Sequence, residues 1–283
     1  MKNNKLIKAI FCLPIIIFSL LLIALPLIYI ISISFFKSDS YGGILYTITL
    51  ENYTELFSFV YLKIFLYSFL IALITTIICI LIAYPFTLAI SHKSKRTKKI
   101  LITMVMLPFL TNSLIRMYGW IVLLRKSGIV NSLLIEGNLI SSPLNLMYNN
   151  FGVIVGMVYT LLPFMILPLN SVLETLDNRL IEAACDLGAS KFQIFKNIIF
   201  PHVLPGLFNG AIMVFTPALG YFFITDLLGG GKVMILGNLI KNQFLTSRNW
   251  PLGSAIAVML ILLTFLMVKI YKKIGGKMDD LGA

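Results

Sequence analysis

The chain is predicted to be an all-α membrane protein with six transmembrane helices, and two observations carry that prediction. A mean hydropathy of +0.95, with 59% apolar and 12% charged residues, leaves too few ions to clothe a water-soluble domain of 283 residues. Apolar runs long enough to cross about 30 Å of hydrocarbon occur near 9–36, 64–91, 100–124, 151–171, 203–225 and 254–268, with Arg116 the one charge inside them. Their length and their lack of two-residue alternation exclude a closed β-barrel.

The first run follows Lys2, Lys5 and Lys8 like a secretory leader. It is too long for an ordinary leader core, and Ser34-Phe35-Phe36-Lys37 offers no small-x-small cleavage site, so it is expected to stay as the first helix. Basic residues favour the cytoplasmic side. With the N-terminus inside, the inner segments hold 15 of the 23 lysines and arginines, including Lys93, Lys95, Arg96, Lys98, Lys99, Arg179, Lys191 and Lys196. The outer segments hold 7 (Lys37, Lys63, Arg125, Lys126, Lys232, Lys241 and Arg248), and Arg116 lies within a span. Both termini are therefore expected in the cytoplasm. The net charge of +12 reads as topology and contact with anionic lipid of the bilayer; no folded basic domain supports nucleic-acid binding.

One membrane domain, 1–283, is expected, with its core at about 64–272. The outer connections, about 37–63, 125–150 and 226–253, are too short to form a substrate-binding domain, so external recognition belongs to another protein. No internal repeat is visible. Gly152 with Gly156 and Gly206 with Gly210 are small-x-x-x-small pairs expected at helix contacts. Pro85, Pro108, Pro163, Pro168 and Pro217 are expected at kinks or helix ends. Cys12 and Cys79 lie in apolar runs and Cys185 in a polar one, so no disulfide is expected.

Arg116 is the costly residue, since a mid-bilayer arginine costs roughly 2.5–3.5 kcal/mol on insertion scales. Counting from Ile100 at about 1.5 Å per residue puts it in the outer third of its helix, and Asn112, Arg116 and Trp120, every fourth residue, would share a face. That polar stripe suits either a partner helix or a transport cavity.

A polar insert at about 174–201 interrupts the apolar pattern. Leu176, Leu180, Ala184 and Leu187 give one narrow apolar helix face that needs a partner surface. Gly188 is suited to the left-handed conformation that ends a helix, and Ser190 with Gln193 has capping-box spacing for a second. Helix, glycine turn, helix is the expected local fold.

Within that insert, Glu182-Ala183-Ala184, Gly188, Ile198 and Pro201 have a spacing that resembles the EAA loop of ABC importer permeases; Phe200 stands where the family usually has leucine. The resemblance implies a type I importer permease architecture and a coupling helix that docks on a cytoplasmic ATPase. The stretches 107–120, 159–165 and 243–251 are similar to the B-type permease subunit of spermidine/putrescine transporters, over nearly the whole chain from about Glu51. That similarity implies a bacterial cytoplasmic-membrane protein working with a second related permease, two copies of the ATPase and an external polyamine-binding protein. A dication crosses where carboxylates, aromatic faces and carbonyls replace water. Tyr159, Tyr221 and Asp226 are candidates, with Asp226 equally readable as a membrane-boundary residue. Arg116 would have to face away from such a cargo or be neutralised.

Gly229-Gly230-Gly231-Lys232 is no phosphate loop: Asp226 stands at its first glycine and Val233 follows the lysine. His92 and His202 sit in unrelated segments, so neither a metal nor a cofactor is expected. ATP hydrolysis then belongs to a partner and the chain is not itself an enzyme. The competing classes are a permease for another small solute and an ion-coupled secondary transporter. The latter usually needs carboxylates within its spans, and these spans contain none.

Overall fold

The computed structural model describes residues 13–15, 17–39 and 42–273. The expected helix start at Ala9, Cys12, and the basic residues Lys2, Lys5, Lys8 and Lys277 lie outside the described residues. Among the described residues five helices are long and apolar enough to span a membrane: α1 (Leu13–Ile33), α3 (Phe59–Ser91), α7 (Asn150–Glu174), α9 (Lys191–Gly220) and the apolar stretch Trp250–Ile270 of α12 (Trp250–Lys273). One bent pair of helices passes the same test jointly and makes six when taken as a single span.

The expected third span is not one straight helix. α4 (Lys95–Met106) runs into a 3-10 turn at Leu107–Leu110, and α5 (Ser113–Leu124) starts afresh; α6 (Ile129–Glu136) follows. The two halves, Lys95–Leu110 and Ser113–Glu136, meet at 95°. Pro108 can donate no backbone hydrogen bond. Thr111 is extended, and Asn112 Oδ1 accepts from Leu114 N–H at 2.8 Å to cap the new helix. Asn112 therefore stands at a cap and not on a helical face with Arg116 and Trp120. Arg116 lies in the first turn of α5, not in the outer third of a long helix.

The fifth span also differs from expectation. Its helix starts at Lys191 rather than near Val203, and it stops at Gly220, where Tyr221 adopts φ −74°, ψ 65°. The short α10 (Phe222–Gly229) follows. A π turn at Phe195–Ile199, with Phe200 N–H reaching Phe195 O, sits directly before Pro201. Pro201 has no N–H to offer the Asn197 carbonyl four residues back, and the lengthened turn absorbs that defect.

The described residues pack as two units, one running to Lys63 and taking in Leu239–Leu263, the other comprising Ile64–Asn238 and the chain from Thr264 to Lys273. In the first unit an antiparallel hairpin, β1 (Phe36–Ser38) with β2 (Ile44–Ile48), occupies the connection after α1, followed by α2 (Glu51–Leu56). Buried Asn52 donates to Ser34 O at 2.9 Å and Phe36 O at 2.8 Å, tying α2 to the end of α1.

In the second unit α7 packs along α9. The expected glycine pairs lie at close helix contacts. A Cβ on Gly206 would stand 2.9 Å from Pro168 O, one on Gly210 2.6 Å from Met165 Sδ, and one on Gly156 would collide with Leu228 Cδ1. α11 (Leu236–Leu245) begins against α3, with Leu236 N–H donating to Ser68 Oγ at 2.9 Å, and Gly237 lies against the Gly220 carbonyl at the break in α9. The glycine run at 229–231 closes α10: Gly230 has φ 57° and lies under the Tyr148 ring.

Candidate functional site

Two regions of the second unit carry candidate function. The first is the helix, glycine turn, helix at 174–201. Asp177 Oδ1 caps α8 (Asn178–Asp186) by accepting from Arg179 N–H at 3.0 Å, a cap that the sequence reading missed although Asp is a preferred N-cap type. Gly188 has φ 77°, and the capping box forms in both directions: Gln193 N–H to Ser190 Oγ at 3.3 Å, Ser190 N–H to Gln193 Oε1 at 2.7 Å. Glu182 and Ala183 are exposed, Ala184 is half-buried, and Leu180, Leu187 and Phe192 show 55%, 89% and 70% of their surface. Ile198 is half-buried within the π turn and Pro201 follows it. The second helix of this motif is continuous with the span α9. A displacement of the exposed motif therefore moves a membrane helix with no loop between them.

The second region is a cavity of about 290 Å³ lined by Phe109, Thr111, Ser113, Arg116, Thr160, Tyr221 and Phe223. Both helix breaks open onto it, at Thr111 and at Tyr221. The Arg116 guanidinium carbon lies 5.6 Å from the Phe109 ring centre and 5.9 Å from that of Tyr159. Trp120 meets Tyr159 edge-on at 5.3 Å, and Phe109 meets Phe164 at 5.2 Å. The buried Arg116 Nε has no hydrogen-bond partner among the described residues. Aromatic faces offset part of the cost of holding that charge away from water.

Of the candidates read from the sequence, Arg116, Trp120, Tyr159 and Tyr221 thus come together, with Asn112 capping the helix that carries two of them. Asp226 does not line this cavity. It lies within α10, not at the end of the preceding span, and its Oδ1 accepts from Asn238 Nδ2 at 2.7 Å. Asn238 is 4% exposed and also accepts from Thr225 Oγ1 at 2.6 Å and Ile235 N–H at 3.2 Å. Phe109, Thr111, Ser113, Thr160 and Phe223 were not singled out beforehand. Pro108 and Pro217 signalled breaks, but not that the two breaks would face one space.

A bent helix pair and a broken span border a small cavity, and an exposed helix is continuous with one of them, an arrangement suited to a membrane transporter. The fold matches the crystal structure of a bacterial ABC transporter involved in the import of the acidic polysaccharide alginate, with a TM-score of 0.77 over 97% of both chains at 18% identity. Residues 83–280 match the model of the family described as binding-protein-dependent transport system inner membrane component, and the chain belongs to that family. It is 45% identical over 271 residues to the spermidine/putrescine transport system permease protein PotB of Haemophilus influenzae, covering 95% of this chain and 94% of that one. It is 41% identical over 251 residues to PotB of Escherichia coli, covering 89% and 91%. The chain is a permease subunit of an ABC importer of the inner membrane.

Proposed function

We propose that this permease carries polyamines inward, with Glu182, Ala183, Ala184, Gly188, Ile198 and Pro201 forming the contact through which a cytoplasmic ATPase drives it. The observation that carries the coupling role is the exposed motif whose second helix, capped by Ser190 and Gln193, runs without a loop into α9. Each leucine there gains about 1.5–3 kcal/mol when fully covered, so docking has a ready driving force. The cargo reading is supported by the names of the relatives above and by the aromatic faces of Tyr159 and Tyr221 near the cavity. Two ATPase copies, a second related permease and an external polyamine-binding protein complete the transporter on this reading. The excess of basic residues at the ends near Lys98 and Arg179 supports a cytoplasmic position for the motif and for both termini.

The test is Gly188→Val in the assembled transporter. No atom of this chain lies within 4 Å of a Cβ at this position, so the substitution clashes with nothing in the chain and strains the backbone of the turn. A left-handed β-branched residue costs about 1–2 kcal/mol, which is roughly tenfold in an association constant. ATPase co-purification and ATP-driven putrescine uptake by reconstituted vesicles should both fall by about that factor. Undiminished uptake by Gly188→Val removes the coupling role, and robust uptake of sulfate in place of putrescine by the unaltered complex removes the polyamine assignment.

A further inference from the structure

The start of α4 is electrostatically in conflict with itself. Lys95, Arg96, Lys98 and Lys99 occupy four of its first five positions and no acidic residue lies in its first turn, although a helix N-terminus already carries about half a positive charge. Among the described residues one carboxylate answers them: Glu174 Oε1, at the end of α7, lies 3.0 Å from Lys98 Nζ. That pair stands on the wall of a cavity of about 670 Å³, where His92, Lys93, Lys95, Lys98 and Lys99 outnumber the single carboxylate, Glu174. The rest of the lining includes Leu88, Ile102, Leu173 and Ile199 from the membrane helices, and Leu176 and Ile181 from the candidate coupling motif.

We propose that this cavity binds the headgroup of an anionic phospholipid of the inner leaflet. The site rests on the orientation inferred above. Its cations supply the attraction, and its apolar wall accepts the glycerol and first methylenes, which a free phosphate ion does not have. Conflicts between local charge and local structure concentrate at functional sites, and basic pockets between membrane helices suit lipid headgroups. Because Leu176 and Ile181 share the wall with the lysines, a bound headgroup bridges the end of α3, the start of α4 and the motif at 174–201. It braces the docking helix from the membrane side. The chemistry recognised is a phosphodiester, and the source is the bilayer.

The complete transporter carrying Lys95→Gln with Lys99→Gln tests this, with the Lys98 to Glu174 pair left intact. Phosphatidylglycerol retained by the purified complex is counted by native mass spectrometry, and ATPase activity is compared in nanodiscs of phosphatidylcholine with and without phosphatidylglycerol. One lysine near a membrane surface is worth about a fivefold factor in anionic-lipid affinity, so retention should fall about 25-fold in the double variant and stimulation by phosphatidylglycerol should be lost. Activity in phosphatidylcholine alone should be unchanged. A control double variant, Lys126→Gln with Lys232→Gln, should retain lipid as the unaltered complex does. Equal retention by the Lys95/Lys99 variant overturns the proposal, as does equal loss in the control. Inorganic phosphate that reproduces the stimulation in phosphatidylcholine discs also overturns it, by showing a soluble-ion site. Retention does not depend on ATP coupling, so failure of the Gly188→Val test leaves this result readable.

Discussion

At the residue scale the cavity beside α5 poses an electrostatic problem for a dication. Arg116 stays close to Phe109 and Tyr159, the aromatic faces that an ammonium group would seek. At about 6 Å and an effective dielectric of about 20, one fixed positive charge repels each passing amine by about 3 kcal/mol. Arg116→Gln is expected to lower the apparent KM for putrescine at least tenfold while Arg116→Lys, which keeps the charge, leaves it near the original; uptake against concentration in reconstituted vesicles measures both. Equal KM values for all three would place the cargo's path elsewhere. Asp226 faces a different choice. The amide oxygen of Asp226→Asn can still accept from Asn238 Nδ2, so assembly should survive. Loss of a charge-assisted bond worth about 1.5–3 kcal/mol should then weaken cation transport about tenfold if the carboxylate meets the cargo. Unchanged uptake would leave Asp226 as the anchor of the Asn238 network.

At the scale of elements, two glycines, one just before α9 and one inside it, illustrate different physics. Gly188 needs its left-handed backbone and has open space around it. Gly206 has ordinary helical geometry but no room, since an added Cβ meets Pro168 O and Val172 Cγ2, each at 2.9 Å. Backbone cannot yield as a side-chain tip can, so Gly206→Ala must push α9 away from α7. Overpacking of this kind costs about 1–3 kcal/mol. The expected outcome is a Tm of the detergent-solubilised permease lowered more by Gly206→Ala than by Gly188→Ala, whose strain is confined to the exposed turn and acts also on ATPase docking. A Tm for Gly206→Ala equal to that of the unaltered protein would show that the two helices separate at no cost. The π turn before Pro201 belongs to the same scale: it lets a proline stand near the start of a continuous 30-residue helix.

Across the whole molecule, parity of the spans is the quantity to test. The Lys98 to Glu174 pair joins the start of α4 to the end of α7, two segments assigned to one side by charge and span counting. With Cys12, Cys79 and Cys185 replaced by serine, single cysteines at Lys95 and Ser190 should resist an impermeant thiol reagent in intact cells. Cysteines at Gly43 and Asn138 should react. Labelling at Ser190 from outside would reverse the orientation and with it the coupling role.

The sequence by itself determined the class, the second, fourth and sixth spans to within about five residues, and the capped motif at 174–201. These depend on hydropathy, on Gly188 and on the Ser190 and Gln193 pair, all of which act over a few neighbouring residues. The family motif was legible for the same reason, being short and contiguous. Only tertiary structure decided that the third span bends by 95° at Thr111, that Arg116 rests on Phe109 and Tyr159, and that Asp226 answers to Asn238 twelve positions later. Proline announces a break without its angle. Whether a charge meets an aromatic face or an amide depends on side chains that the folded helices bring together across tens of residues, a distance that no local periodicity encodes.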